Sequence, residues 1–182
     1  TLHTPLKDQV EIMSPDHVTT PQLTGDVDGN GFTDLITFDK NAGTWSVSLA
    51  RSDGDYAPSS VWHPGGIGGI GTYTTPLLGD WNADGRTDIA LFNDDGDSNW
   101  RFWNSNGTDF LSGLRTTNYG PGDSGTTPLT GDFNGDGRTD IGTYRAGSWQ
   151  VALVGDTITP VASFSRSLGS AAAAPLTGDW NG

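Results

Sequence analysis

The sequence has no cysteine, one methionine and a single glutamate, Glu11. Without cysteine there is no disulfide and no thiolate metal site, so any covalent-like staple has to be a metal held by oxygen. No run approaches the roughly 20 apolar residues of a membrane-spanning helix. No secretory leader is visible at Thr1, and the chain is expected as a mature or excised form. Helical signals are also missing, because no segment repeats its apolar residues at 3.6 positions between caps. Cations are scarce: nine Lys and Arg stand against 22 acidic residues, for a formal charge of -13. Such a surface repels nucleic acid and anionic membranes, and neither is expected as a partner.

Catalytic signatures are absent too. His3, His17 and His63 are scattered, and no Ser–His–Asp arrangement, phosphate loop or dinucleotide fingerprint can be read. Glycoside hydrolysis needs two opposed carboxylates. Glu11 lies outside the repeats described below, and Asp94, Asp95, Asp97 and Asp123 fall in turn-like stretches. No catalytic residue is expected in this chain.

What is abundant is glycine, with 27 residues, and aspartate, which supplies all but one of the acids. Seven Trp and seven Phe supply a core although only 33% of residues are hydrophobic. Aspartate excess points to turns or to hard-cation sites, because the side chain is short and tolerates turn geometry.

Internal similarity organises the chain. TPQLTGDVDGNGFTDLITF from Thr20, TPLLGDWNADGRTDIALF from Thr75 and TPLTGDFNGDGRTDIGTY from Thr127 are versions of one segment, and APLTGDWNG begins a fourth at Ala174. The first aspartate of each copy is Asp26, Asp80, Asp132 or Asp179, at steps of 54, 52 and 47 residues. In each unit a short strand precedes the acidic loop and a β-branched or aromatic run follows it: Asp34–Phe38, Asp88–Phe92, Asp140–Tyr144. Next comes a strand opened by Trp45, Trp100 or Trp149. A less regular strand closes the unit near Ser60–His63, Leu111–Thr117 or Ala162–Ser167. Four strands in about 50 residues predict one β-propeller blade. The fold class is therefore all-β: blades of four antiparallel strands, about three of them plus the start of a fourth. The expected divisions are an N-terminal segment over 1–19 that could supply a strand to an adjoining blade, blades over 20–74, 75–126 and 127–173, and the first strand of a further blade over 174–182. The Gly-rich stretches 63–71 and 119–125 read as blade-to-blade connections.

The acidic loops repeat their donors at positions 1, 3, 5 and 9. These are Asp26, Asp28, Asn30 and Asp34; Asp80, Asn82, Asp84 and Asp88; Asp132, Asn134, Asp136 and Asp140; and the beginning of a fourth set, Asp179 and Asn181. Position 7, filled by Phe32, Arg86 and Arg138, offers a backbone carbonyl. Position 6 is glycine in all three full loops, which permits the sharp turn that gathers the oxygens. An all-oxygen donor set selects calcium over zinc or copper. The bidentate Glu that an EF-hand carries at position 12 is replaced by Thr37, Leu91 and Thr143, so these are strand–loop–strand sites. Ten of the 22 acids lie in these motifs, a crowding that is repulsive without a cation. About three complete structural calcium sites are expected. Sites of millimolar affinity would place the protein outside the cell, because cytosolic calcium is too low to fill them.

GDFNGDGRTDIGTYRAGSWQVAL and YGPGDSGTTPLTGD resemble the FG-GAP/VCBS repeat family, which includes integrin-α-like propellers, propeller lectins and many secreted proteins. The resemblance covers residues 20–182 and implies a β-propeller with calcium in the loop of each blade. Three units and a fragment are fewer than the 4–8 blades of a closed propeller. Either the chain is part of a longer protein, or copies assemble, with Ala174–Gly178 completing a blade begun near Val10–Met13. Open blade edges invite another chain.

The functional expectation is binding of a glycan or cell-surface polysaccharide. Trp62, Tyr73, Trp103 and Tyr119 are the candidate stacking surfaces because they lie outside the recurrent positions; Trp45, Trp100 and Trp149, like Val27, Trp81 and Phe133, recur in register and read as packing. The alternatives are a protein-interaction or adhesion scaffold, and a non-catalytic part of a secreted polysaccharide-degrading enzyme.

Overall fold

A computed structural model describes residues 22–63, 74–94, 96, 98–110, 115–121, 125–155 and 160–178. These residues form three four-stranded antiparallel sheets, each with its strands in sequence order. The first sheet contains β1 (Gln22–Gly25), β2 (Asp34–Asp39), β3 (Thr44–Ser48) and β4 (Ser60–His63). The second contains β5 (Thr74–Gly79), β6 (Asp88–Asn93), β7 (Asn99–Trp103) and β8 (Arg115–Asn118). The third contains β9 (Thr127–Gly131), β10 (Asp140–Arg145), β11 (Ser148–Val154) and β12 (Pro160–Ser167). The sheets stack as consecutive propeller blades, with β5 touching both β1 and β9. No helix among the described residues is long and apolar enough to cross a membrane.

Register explains why these residues are strands. Gly25 pairs with Asp34, Gly79 with Asp88 and Gly131 with Asp140, so each acidic loop closes the same hairpin. The next hairpin sets Phe38 opposite Trp45, Phe92 opposite Trp100 and Tyr144 opposite Trp149. Ring centroids in these pairs are 4.7, 4.9 and 5.2 Å apart, the cross-strand aromatic contact that holds a sheet's register. In β2 buried residues alternate with residues that are not, whereas every residue of β6 is buried. Period-2 alternation marks a sheet covered on one face, and its loss marks one covered on both.

Among the described residues the core is two interfaces. Between the first and second blades, Val27, Ile36, Phe38, Trp45, Val47 and Trp62 meet Ile89, Leu91, Trp103 and Phe110. Between the second and third, Trp81, Ala90, Phe92, Trp100 and Phe102 meet Ile141, Ala152 and Val154. Neighbours along β6 therefore belong to different cores, which is why a single slipped residue would exchange them.

Some expectations need adjustment. Of the fourth strand of the second blade, expected near Leu111–Thr117, the described part is Arg115–Asn118, and residues 111–114 lie outside the described set. Residues 174–178, expected as a strand, make no ladder among the described residues. They still rest on β9, where the Thr177 hydroxyl donates to the Thr130 carbonyl at 3.0 Å. That repeats, one blade on, the bond from the Thr130 hydroxyl to the Leu78 carbonyl. The position of a first strand is occupied, but among the described residues no strand pairs with it in a ladder. The expected strand near 10–13, the segment 64–71 and the loop beginning at Asp179 lie outside the described residues.

Candidate metal centres

Each loop is built around its first aspartate. The Asp26 carboxylate accepts the N–H groups of Gly29 and Asn30 on Oδ1, at 2.8 and 3.1 Å, and of Gly31 on Oδ2, at 2.8 Å. Asp80 gathers Asp84 and Gly85 in the same way. Asp132 gathers Asn134, Gly135, Asp136 and Gly137. Four converging N–H groups overcome the effect of burial and hold the Asp132 carboxyl below the usual carboxylate range.

Positions 3 and 5 join side to side, with the amides of Asn30, Asn82 and Asn134 donating to Asp28, Asp84 and Asp136 at 3.0, 3.0 and 2.8 Å. The sixth-position glycines turn the chain at φ of +87°, +83° and +85° at Gly31, Gly85 and Gly137. A Cβ there would meet nothing within 4 Å, so conformation rather than space requires glycine. Position 4 is left-handed as well, with Gly29 and Gly135 both at +77° and Ala83 at +57°. The sequence gives no sign of that strain. Ala83→Gly is expected to raise stability by about 0.5–1 kcal/mol, measured by denaturant unfolding in calcium, and a loss of stability would contradict the strain.

The ninth position is buried in every one of the three loops. Asp34, Asp88 and Asp140 are each fully buried. In each, Oδ2 accepts the N–H of loop position 2, from Val27 at 2.8 Å, Trp81 at 3.0 Å and Phe133 at 2.9 Å. Oδ1 accepts an N–H from beyond the second hairpin, at Ala50, Ser105 and Val154, at 2.8, 2.7 and 2.7 Å. This aspartate thus ties loop to blade, a duty the sequence does not reveal. A carboxylate has about four lone-pair sites, so two remain for an ion. Burial, aided by Asp84 and Asp80, pushes the Asp88 carboxyl up to about 7 against the N–H bonds of Ser105 and Trp81. Burial raises Asp140 in the same way, with Asp136 and Asp132 adding to it. Asp28 is raised by burial and by the charges of Asp34 and Asp26, against its bond from Asn30.

The donors fit a hard cation. Asp26, Asp28 and Asp34 each bring an oxygen within 4.8 Å of the other two. The upward shifts in these loops come partly from like charges that a divalent ion would offset. Phe32 and Arg138 hold the places expected of position 7, their N–H groups bonded to Asn30 and Asp136. Arg86 does more than expected, since its guanidinium also reaches Asp84 at 3.1 Å.

The aromatic candidates divide. Trp62 and Trp103 are 5% and 4% exposed and belong to the first core, so neither offers a free face to a sugar. Trp62 packs on Phe110 at 5.3 Å, and Trp103 on His63 at 5.9 Å. They escape the repeat pattern because the interface is uneven: Trp103 pairs with Ile89 where Ala152 pairs with Ile141 and Ser48 with Leu35. Tyr119 is half-buried, packs against the second core and accepts the Trp100 indole N–H on its carbonyl at 3.0 Å. Tyr73, Asp179 and Asn181 lie outside the described residues.

Loop-to-loop contacts were also missed. The Thr87 N–H donates to the Asp26 carbonyl, and the Thr139 N–H to the Asp80 carbonyl. The recurrent Thr-Asp at loop positions 8 and 9 was the available signal.

The FG-GAP-like repeat family matches the chain twice, over residues 26–91 and 80–143. No curated protein sequence matches it significantly. Among solved structures it is similar to a lectin of Agrocybe aegerita, described by its specific recognition of non-reducing terminal N-acetylglucosamine, at 24% identity and a TM-score of 0.62. The match covers 79% of this chain and 37% of that one, so the chain spans little more than a third of that structure.

Proposed function

The chain belongs to the FG-GAP-like repeat family, and on that footing we propose that it is a calcium-stabilised propeller module, working outside the cell and binding carbohydrate. The observation that carries the calcium part is the convergence of Asp26, Asp28 and Asp34 on one point, in a loop whose pattern recurs twice in the described chain. Its hard-oxygen donors suit calcium. The ions have a structural role here: they hold the β1–β2, β5–β6 and β9–β10 hairpins. Weak sites of this kind fill at extracellular calcium levels, which supports secretion.

Carbohydrate binding is supported by the fold shared with a sugar-recognising lectin and by an acidic surface that disfavours nucleic acid. A glycan array probed with folded protein, once with calcium and once with a chelator, is expected to show sugar binding that fades with the chelator. No binding by folded, calcium-loaded protein would remove the lectin reading. The adhesion-scaffold reading then takes its place. It is favoured by the exposed Phe32, Leu35, Tyr56 and Val61 of the first blade and by Val161, Phe164, Leu168 and Leu176 at the other end, since apolar patches mark protein contacts.

A further inference from the structure

We propose that the eighth residue of a metal loop positions the metal loop of the preceding blade, so that ion affinity at one site is set partly by the blade that follows it. This rests on the calcium reading above.

Thr87 and Thr139 occupy a position that lends no ligand to its own loop. Both turn instead to the loop before. A Cβ built on Gly25 would lie 2.5 Å from the Thr87 Cγ2, and one on Gly79 would lie 2.5 Å from the Thr139 Cγ2. Glycine is required at both places because the threonine methyl fills the space beside the backbone. The two N–H groups then bond the carbonyls of Asp26, at 2.6 Å, and Asp80, at 2.8 Å. Thr139 goes further: its hydroxyl oxygen accepts the Asp80 N–H at 2.8 Å. Both main-chain polar groups of Asp80 are thus held by one residue of the next blade.

Asp26 and Asp80 are the residues around which their loops are wound, so fixing their backbone fixes where their carboxylates point. Outer contacts that orient a ligand are worth about 10- to 100-fold in metal affinity. Arginines at position 7 reinforce the link. The Arg86 stem packs within 3.3 Å of a Cβ position at Gly29, and Arg138 Nη1 donates to the Trp81 carbonyl at 3.4 Å. For the third loop no such threonine is found among the described residues, and the nearest group to Gly131 is the ring of its own Phe133. The first two sites are thus each held from outside, by the blade that follows.

Terbium, an oxygen-seeking ion of about calcium's size, gives a site-selective test in the full chain. Trp81 adjoins Asp80, whereas Val27 and Phe133 fill that position in the other two complete loops, so terbium emission excited through tryptophan reports chiefly on the second site. Thr139→Val keeps the shape and deletes the acceptor. It is expected to weaken this signal's midpoint about tenfold, while Thr139→Ser restores it. Thr87→Val, a change inside the second loop itself, should leave it in place because its target is the first. In ion-free protein, the Asp80 amide should resist hydrogen exchange in the wild type and in Thr139→Ser but not in Thr139→Val, a reading that does not depend on metal. An unchanged midpoint in Thr139→Val, or an equal loss in Thr87→Val, overturns the inference while leaving the metal reading intact. A wild-type chain that takes up no terbium overturns both.

Discussion

Chelating calcium is expected to lower the melting temperature of the protein by roughly 10 °C. With dissociation constants of about 0.1–1 mM, as in extracellular calcium modules, a tenfold excess of free ion stabilises each site by about 1.4 kcal/mol. Three sites give about 4 kcal/mol, and in a domain of this size each kcal/mol moves the melting temperature by about 2–4 °C. Scanning calorimetry with calcium and with chelator measures the difference directly. Asp84→Ala sharpens the test. Asp84 is bonded within its own loop to Asn82, to the Arg86 N–H and to the Arg86 guanidinium, partly exposed contacts of small net worth. The variant should lose about a third of the calcium increment when calcium is present and much less after chelation. Equal losses in the two conditions would mean that the residue supports the loop without ligating an ion.

Much of this architecture was legible because the repeat fixes register and register fixes faces. Once Asp34, Asp88 and Asp140 are aligned, the aromatic four positions on and the tryptophan across the turn must meet, and Phe38 with Trp45, Phe92 with Trp100 and Tyr144 with Trp149 do so. The clustering of Asp26, Asp28 and Asp34 was legible for the same reason. What repeats badly could not be read. Trp103 and Trp62 look like spare aromatics in the sequence, but the interface between the first two blades is filled by large side chains where the next interface uses Ala152. Ala83 hides its left-handed backbone because only the glycines at the equivalent positions advertise one. Thr87 and Thr139 recur ahead of the ninth-position aspartate, but nothing in their own loop says what they touch, which lies about 60 residues back in the chain. Contacts between repeats depend on how blades are stacked, and a pattern read within one repeat contains no information about that.

The ninth-position aspartates join the fold's stability to its ions, and Asp88 shows this with the largest expected effect. Asp88→Ala strips the acceptors from the Trp81 and Ser105 N–H groups, both at buried sites. Leaving one such donor unpaired costs about 1–3 kcal/mol. The substitution is therefore expected to cost about 3–5 kcal/mol even after chelation, unlike Asp84→Ala, and about 1 kcal/mol more in calcium. Urea unfolding measures it, and a loss below about 1 kcal/mol would show that the two bonds do not hold the loop to the blade. The pH dependence of the wild type follows from the same burial. In ion-free protein the Asp88 carboxyl is pushed up to about 7, above its value in the unfolded chain of about 3.9. Between these values the folded form holds a proton that the unfolded form has released. The contribution of this group is thus complete below about pH 4 and is lost as the pH rises through 7. Asp140, raised for the same reason, acts in the same direction. A bound calcium ion favours the carboxylate and lowers its effective value in the folded chain, so in calcium the loss of stability over this interval shrinks. Calcium uptake near pH 6 must then expel protons, and uptake at pH 8 must expel few. Calorimetric titrations in buffers of different ionisation enthalpy count them. Proton release that is the same at both pH values would separate the buried aspartates from the ion, and calcium would then have to be bound by the exposed part of the loop alone.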